Sequence, residues 1–302
     1  PNYPFEALSR RTSANLRFYR QVSLLFRNYK PSSVVVTYEG HPWERLAFYA
    51  ARKTNPHVSC IAYQHAVVIP NQHSIKRSLG PKYDPDTILF SGEYPRQWFL
   101  NQADYNPSLY VVGTPRHDGT ANSSSPSLRL RSHVPSCLLL PDGTLSESLV
   151  LFRFGLLCAR LLQNIRFTIR LHPVLTCRAL FSADTSLCDM PSNFFVSDKS
   201  INGDFLDNRW ALYRGSGAGV RAAISGLRPI YYSISPTEMS IDPLHMLSAW
   251  RRVAKTQYDV ASILSADLLA HPSFIEAEFE SVCNDLDSVF RPYSINTFLK
   301  HI

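Results

Sequence analysis

The sequence predicts an α/β fold: two Rossmann-like domains facing each other across a cleft. Three observations carry that expectation. Strand-like and helix-like segments alternate along 302 residues, a polar Ser- and Pro-rich stretch interrupts them near the middle, and the alternation then starts again. Repeated β-α units with short connections imply parallel sheets covered by helices on both faces. This length also suits two domains of ~150 residues better than one core. The expected boundaries are 1–125 for the first domain, 126–275 for the second, and 276–302 for a terminal helix packing back on the first.

In "SSVVVTYE" the four β-branched residues Val34 to Thr37 read as a buried strand. Gly40 and Pro42 turn the chain into the helix "PWERLAFYAARKT", with proline at its start. "VSCIAYQHAVVI" is a strand running into a loop, "DTILFSG" a strand before the helical "EYPRQWFLNQ", and "LYVVGTPRH" another strand. "DGTANSSSPSLRLRSHVP" is the linker, and its "NSS" at 122–124 is a formal glycosylation sequon. In the second half "SCLLLPDG" is a strand, "TLSESLVLFRFGLLCARLLQ" a helix, and "IRFTIRLHP" and "FFVSD" strands. The short helix "INGDFLDN" precedes the strand "WALYRGSG", the helix "AGVRAAISG" and the strand "RPIYYSI". "SFIEAEFESVCNDLDSVF" is the last helix, and no internal repeat is evident.

The net charge of +7 favours anionic partners. The basic residues are mostly separate arginines, which suit discrete phosphate or carboxylate contacts; nucleic acid is not expected. The six cysteines include no CxxC pair and several lie in apolar runs, so they read as buried free thiols of a reducing compartment. The most apolar run, "SLVLFRFGLLCARLLQNI", carries Arg153 and Arg160 on one helical face, which makes it amphipathic rather than membrane-spanning. "DPD" at 84–86 imitates a metal-binding pattern, but Pro85 makes it a turn ahead of a strand, and neither metal nor cofactor is expected. The opening "PNYPFEALSR" has no signal-peptide pattern, and a piece of a longer protein is the expectation.

Three strand tips in the second half carry the candidate chemistry. Pro173 disfavours the helical region for His172, so the histidine after Arg170 is held extended, where it can donate to a phosphate oxygen or merely close a loop. Ser216, Gly217, Ala218 and Gly219 form a small-residue turn into a helix, where backbone N–H groups can meet an anion, and Arg214 adds charge. The spacing matches neither a dinucleotide fingerprint nor a P-loop. Asp142 and Gly143 follow a strand directly, as ligands or as a helix cap.

"PDG", then "RLHP" about 30 residues on, then a strand ending in "GSG" about 40 further, is similar to the acidic-Gly, His-Pro and Ser-Ser/Thr motifs of bacterial GT-B sialyltransferases and Kdo transferases. The first half resembles surface-carbohydrate biosynthesis proteins through Glu39, Trp43-Glu44 and His65-Ala66-Val67-Val68. The resemblance implies a CMP-sugar donor in the second domain, with His172, Ser216 and Gly217 on its phosphate and Asp142 and Gly143 near the nucleotide; Arg170, Pro173, Ser197 and Arg214 join them as donor-site candidates. Two positions depart from the pattern. Gly217 stands where the second hydroxyl is expected, and Val220-Arg221 where many relatives carry a ribose-binding glutamate.

The first domain should then offer the acceptor site and the catalytic carboxylate. Glu39 ends a strand and can deprotonate an acceptor hydroxyl or attack the anomeric carbon; capping the helix at Pro42 is its other reading. His65 and His172 join it as catalytic candidates, and His41 and Glu44 as acceptor-binding ones, although Glu44 also suits a helix N-terminus. The expectation is a metal-independent GT-B glycosyltransferase moving a Kdo-like or sialic-acid-like sugar from CMP to a surface polysaccharide or lipid-linked glycan. Its place is the cytoplasm, with peripheral contact to the anionic inner face of the plasma membrane. A UDP-sugar or CDP-glycerol-type transferase and a non-catalytic scaffold remain alternatives.

Overall fold

The computed structural model describes residues 9–72, 74–117, 134–235 and 237–302. The linker from 118 to 133 and its sequon lie outside them. The chain divides into two compact units: Pro1–Ala66, Gln72–Arg116 and Ser288–Ile302 form unit 1, and Val67–Asn71 and His117–Asp287 form unit 2. Unit 1 therefore resumes at Ser288, twelve residues after the return expected at 276.

Unit 1 begins with α1 (Arg10–Tyr29), which no strand-helix rhythm announced. Ser9 caps it by accepting from Thr12 N–H at 3.1 Å, and Lys30 ends it in a left-handed conformation before Pro31. Its buried residues are only Ser23 and Phe26, while Leu16, Leu24 and Leu25 face outward, so no apolar stripe marks it. Then follow β1 (Ser33–Thr37), α2 (Pro42–Thr54), β2 (Ser59–Gln64), β3 (Thr87–Phe90), α3 (Glu93–Gln102) and β4 (Ser108–Val111). The four strands are parallel in the order β1-β2-β3-β4. β1 is thus an edge strand, and Val35 and Thr37 are exposed. This corrects the buried strand expected there: three valines in a row cannot say whether the second flank of their strand is paired.

The "DPD" turn is structural. Asp84 pairs with the buried Arg45 and accepts from Leu79 and Gly80 N–H, and Asp86 pairs with Arg52 at 2.7 Å. The returning segment is stitched to the strand tips, with Arg291 N–H bonded to Ser91 O and Ser294 N–H to Val112 O, both 2.9 Å. It ends in the short helix Ile295–Leu299, and Tyr293 and Phe298 cover Ile61, Leu89 and Val112.

Unit 2 runs β5 (Ser136–Leu140), α4 (Leu145–Leu161), β6 (Arg166–Ile169), α5 (Cys177–Ala183), β7 (Phe194–Val196), α6 (Ile201–Asp207), β8 (Trp210–Tyr213), α7 (Gly217–Ile224), β9 (Arg228–Tyr232), β10 (Arg252–Ala254) and α8 (Gln257–Leu269). The sequence reading had no β10 or α8; a three-residue edge strand with Val253 exposed leaves little pattern to read. The expected last helix is two, α9 (Pro272–Glu280) and α10 (Cys283–Val289). All six strands are parallel in the order β10-β9-β8-β5-β6-β7. The chain moves outward one way from β5 and then returns to build the other half, so the order reverses between β5 and β8.

β5 is buried at every position, and α4 lays Leu151, Phe152, Phe154 and Leu156 on the same core. Its Arg153 and Arg160 pair outside with Asp184 and Asp189, the amphipathic helix the sequence predicts. Arg228 is buried, paired with Asp267 and Glu278 at 2.7 and 2.6 Å and stacked over Trp250 at 4.3 Å. All six cysteines are free, but only Cys60, Cys137 and Cys158 are buried and Cys188 is exposed, which corrects the expectation of a wholly buried set. Among the described residues no helix is long and apolar enough to cross a membrane.

Candidate functional site

In an open parallel sheet, ligands bind beyond the carboxyl ends of the strands, where the strand order reverses. In unit 2 that place lies between the tips of β5 and β8, with the tip of β6 beside them. The three predicted loops meet there. A Cβ on Gly143 would stand 3.2 Å from His172 Nδ1, and one on Gly215 would stand 3.8 Å from Asp142 Oδ2. Asp142 Oδ1 accepts from Thr144 N–H and Oγ1–H, both at 2.8 Å, which fixes the loop that carries Gly143.

His172 is exposed at the tip of β6, next to Pro173. Its Nδ1 accepts from Val174 N–H at 3.4 Å, so in the neutral ring the proton sits on Nε2 and is available to an anion. Ser216 caps α7, its Oγ accepting from Ala218 N–H at 3.3 Å, and Gly217 is the first helical residue. First-turn N–H groups have no partners within their helix and carry the positive end of its dipole. Gly219 has a different task from the one expected: a Cβ there would stand 2.8 Å from the Tyr213 ring, so it lets α7 close on β8.

Arg214 is not a free charge at this site. Its buried guanidinium is paired with Glu147 and Glu238, each at 2.8 Å, and donates to Tyr232 O. Burial works against that charge, yet the two carboxylates more than offset it and hold its pKa above the ordinary value. Arg170 and Ser197 are also spent elsewhere. Both bond to the buried Asp204, Arg170 Nη1 at 2.9 Å and Ser197 Oγ at 2.6 Å, and Arg170 also donates to Lys199 O. Asp204 and Glu147 were missed because they lie 34 and 67 residues from the arginines they satisfy. Arg221 faces Phe205 at 5.8 Å and bonds Asn202.

In unit 1 the candidates line the β1 and β2 tips. Glu39 is half-buried, its Oε2 3.8 Å from His41 Nε2. The N-cap of α2 is His41, so Glu39 is not the cap. Glu44 is engaged with the backbone: its buried carboxylate accepts from Glu39 N–H at 3.0 Å and His41 N–H at 2.7 Å. Burial raises the Glu44 pKa even against those bonds. Gly40 completes the clamp with φ +85°, and a Cβ there would overlap the Ser74 carbonyl carbon at 2.3 Å. Glu39 is therefore presented on a loop fixed from below and from the side. His65 follows β2, where burial first, and then the Arg116 charge, lower its pKa from 6.5 while Glu39 opposes them. Arg116 was missed by the sequence reading; it sits just past the β4 tip. Among the described residues no group of three or more His, Cys, Asp or Glu side chains could hold a metal ion.

The chain is similar in fold to S. aureus MnaA solved with UDP, with a TM-score of 0.61 at 12% identity over 96% of this chain and 82% of that one. It is similar to the Methanocaldococcus jannaschii UDP-GlcNAc 2-epimerase solved with UDP-GlcNAc and UDP, at 0.56 and 11% over 85% and 75%. Acinetobacter baumannii MurG is a third, at 0.53 and 11% over 91% and 76%. The chain has the GT-B fold. At these identities the likeness is one of architecture, two parallel α/β units of GT-B type. No protein-family model and no curated protein matches the sequence.

Proposed function

We propose that this GT-B chain is a glycosyltransferase whose unit 2 binds a nucleotide-activated sugar by its phosphate. The convergence of Gly143, His172 and the α7 N-terminus at the β5/β8 reversal carries this reading. In the transfer, the acceptor oxygen forms a bond to the anomeric carbon. The bond from that carbon to the donor phosphate oxygen breaks, and the nucleotide leaves with the electron pair. His172 Nε2–H and the Gly217 N–H stabilise the charge that develops on that phosphate. Glu39 takes the acceptor proton, with His41 and His65 beside it. The acceptor is a surface polysaccharide or lipid-linked glycan worked on at a membrane face.

Two donor classes fit a phosphate cradle of this kind. The motif order favours a CMP-linked acidic sugar. The nucleotide named for two of the similar structures favours a UDP-sugar instead. Thermal unfolding with CMP, CDP, UDP and UDP-GlcNAc separates them, because a ligand that binds only the folded chain raises its midpoint. A rise with CMP alone selects the first class, and a rise with UDP and UDP-GlcNAc the second. No rise with any nucleotide at millimolar concentration overturns the reading. Once a donor is found, Glu39→Gln should lower turnover by about 10²–10⁴-fold while nucleotide affinity stays unchanged. Full turnover in that variant removes Glu39 from the mechanism.

A further inference from the structure

α1 carries five arginines and no acidic residue, with Lys30 directly after it. Most arginines elsewhere meet a carboxylate: Arg45, Arg52, Arg96, Arg153, Arg160, Arg170, Arg214, Arg228, Arg251 and Arg252 are all paired. Arg20, Arg27, Lys30 and Lys53 form no ion pair with a described residue. These four cations line one groove of about 720 Å³ between α1 and the end of α2, with Tyr19 and Leu24 and without a carboxylate. Its wall is ordered by ring contacts: Tyr19 stacks on Tyr49 at 5.8 Å, and Lys53 Nζ lies 5.7 Å from the Tyr49 ring.

The apolar residues decide what such a surface binds. Residues three, four and seven apart share a helix face, so Leu24 sits between Arg20 and Arg27 and one further step from Arg17. On that face Leu24 is 57% exposed and Leu16 48%. A nucleic-acid surface needs arginines to meet phosphates but has no use for leucines set among them. A bilayer interface uses both: arginine heads reach lipid phosphates while leucines enter the headgroup boundary.

We propose that the exposed face of α1, with Lys30 and Lys53, docks this chain on an anionic phospholipid surface. The proposal deepens the membrane-face acceptor reading and rests on it for its purpose. The docking itself needs neither donor nor turnover, so vesicle binding and nucleotide binding fail or succeed separately.

Co-sedimentation with vesicles of equal parts phosphatidylglycerol and phosphatidylcholine, against pure phosphatidylcholine, tests it. The wild-type chain should bind the anionic vesicles alone, and more weakly as salt rises. Each basic side chain near such a surface contributes on the order of fivefold, so Arg20→Glu with Arg27→Glu should weaken binding by at least about 25-fold. Leu16→Ser with Leu24→Ser should also weaken it at fixed salt. All four positions are exposed, and unchanged thermal midpoints verify that the variants fold. Arg178→Glu with Lys255→Glu makes the same change in net charge at exposed sites of unit 2 and should bind as wild type. Four results overturn the proposal: no preference for anionic vesicles; equal loss in the unit 2 control; release by inorganic phosphate beyond that by chloride of equal ionic strength; or unchanged binding by the leucine variant, which leaves an electrostatic patch without an apolar seat.

Discussion

Units 1 and 2 use the same parallel β-α recipe and make different kinds of site from it. Unit 1 lays its strands down in chain order, β1-β2-β3-β4, so among the described residues its sheet contains no reversal. Unit 2 reverses between β5 and β8, and adjacent connections leave in opposite directions, which opens a crevice at the strand tips. The consequence is chemical. Unit 2 brings helix-terminal backbone N–H groups, His172 and Asp142 together at its strand tips. Unit 1 offers side chains: Glu39 and His41 on a loop held by the buried Glu44 carboxylate, and His65 just after β2. A sheet reversal gathers neighbouring strand tips and a helix N-terminus at one place, whereas a sheet without one presents its polar side chains on separate loops.

Three changes probe that contrast. The largest effect is expected from Arg228→Ala in unit 2. It leaves Asp267 without its ion-pair partner in a largely buried network, while Glu278 keeps Arg252, at a cost of about 3–5 kcal/mol. Denaturant unfolding measures it; a loss below 1 kcal/mol would mean that water already reaches the network.

A smaller and more local effect is expected from Gly143→Val. The residue is not in the left-handed region, so valine is accepted by the backbone but presses on His172. Nucleotide affinity should fall about tenfold or more, the size of one hydrogen bond to a charged group, with little change in melting. An unchanged affinity by calorimetry would detach His172 from the phosphate. Binding lost together with the fold would show that the loop is structural.

The smallest effect is the pH response of His65 in unit 1. Its folded pKa lies below 6.5, so the unfolded chain takes up the proton first as pH falls. His65 therefore contributes stability above pH 6.5 that is lost on acidification through that value toward its lower folded pKa. Comparing thermal midpoints at pH 7.5 and 5.5, His65→Gln should show a shallower drop than the wild type; an equal drop assigns the response to other groups.

Much of both sites was readable from local signals. Pro173 after His172, the glycines after β8 and the Gly40-Pro42 turn act over a few residues, and each stands at a strand tip as read. Glu44 was half legible: its early helical position suggested a structural role, but not that its carboxylate holds Glu39. The partners of Arg214, Arg170 and Ser197 were not legible, because an arginine or serine beside a phosphate-like motif looks the same whether it is free or satisfied. α1 was invisible, since its leucines point outward and its buried face contains a serine.

The residues alone settled the alternation of strands and helices, the split into two halves, and the identity of nearly every tip residue, because periodicity, proline and glycine act within a turn or two of chain. Strand order, and with it the place of the crevice, came from how distant segments pair. So did the pairing of arginines: Glu147 neutralises Arg214 and Asp204 neutralises Arg170 across dozens of residues. Long-range packing chooses among partners that a local pattern cannot tell apart, and burial then makes the choice binding, since a charge removed from water must be matched where it stands.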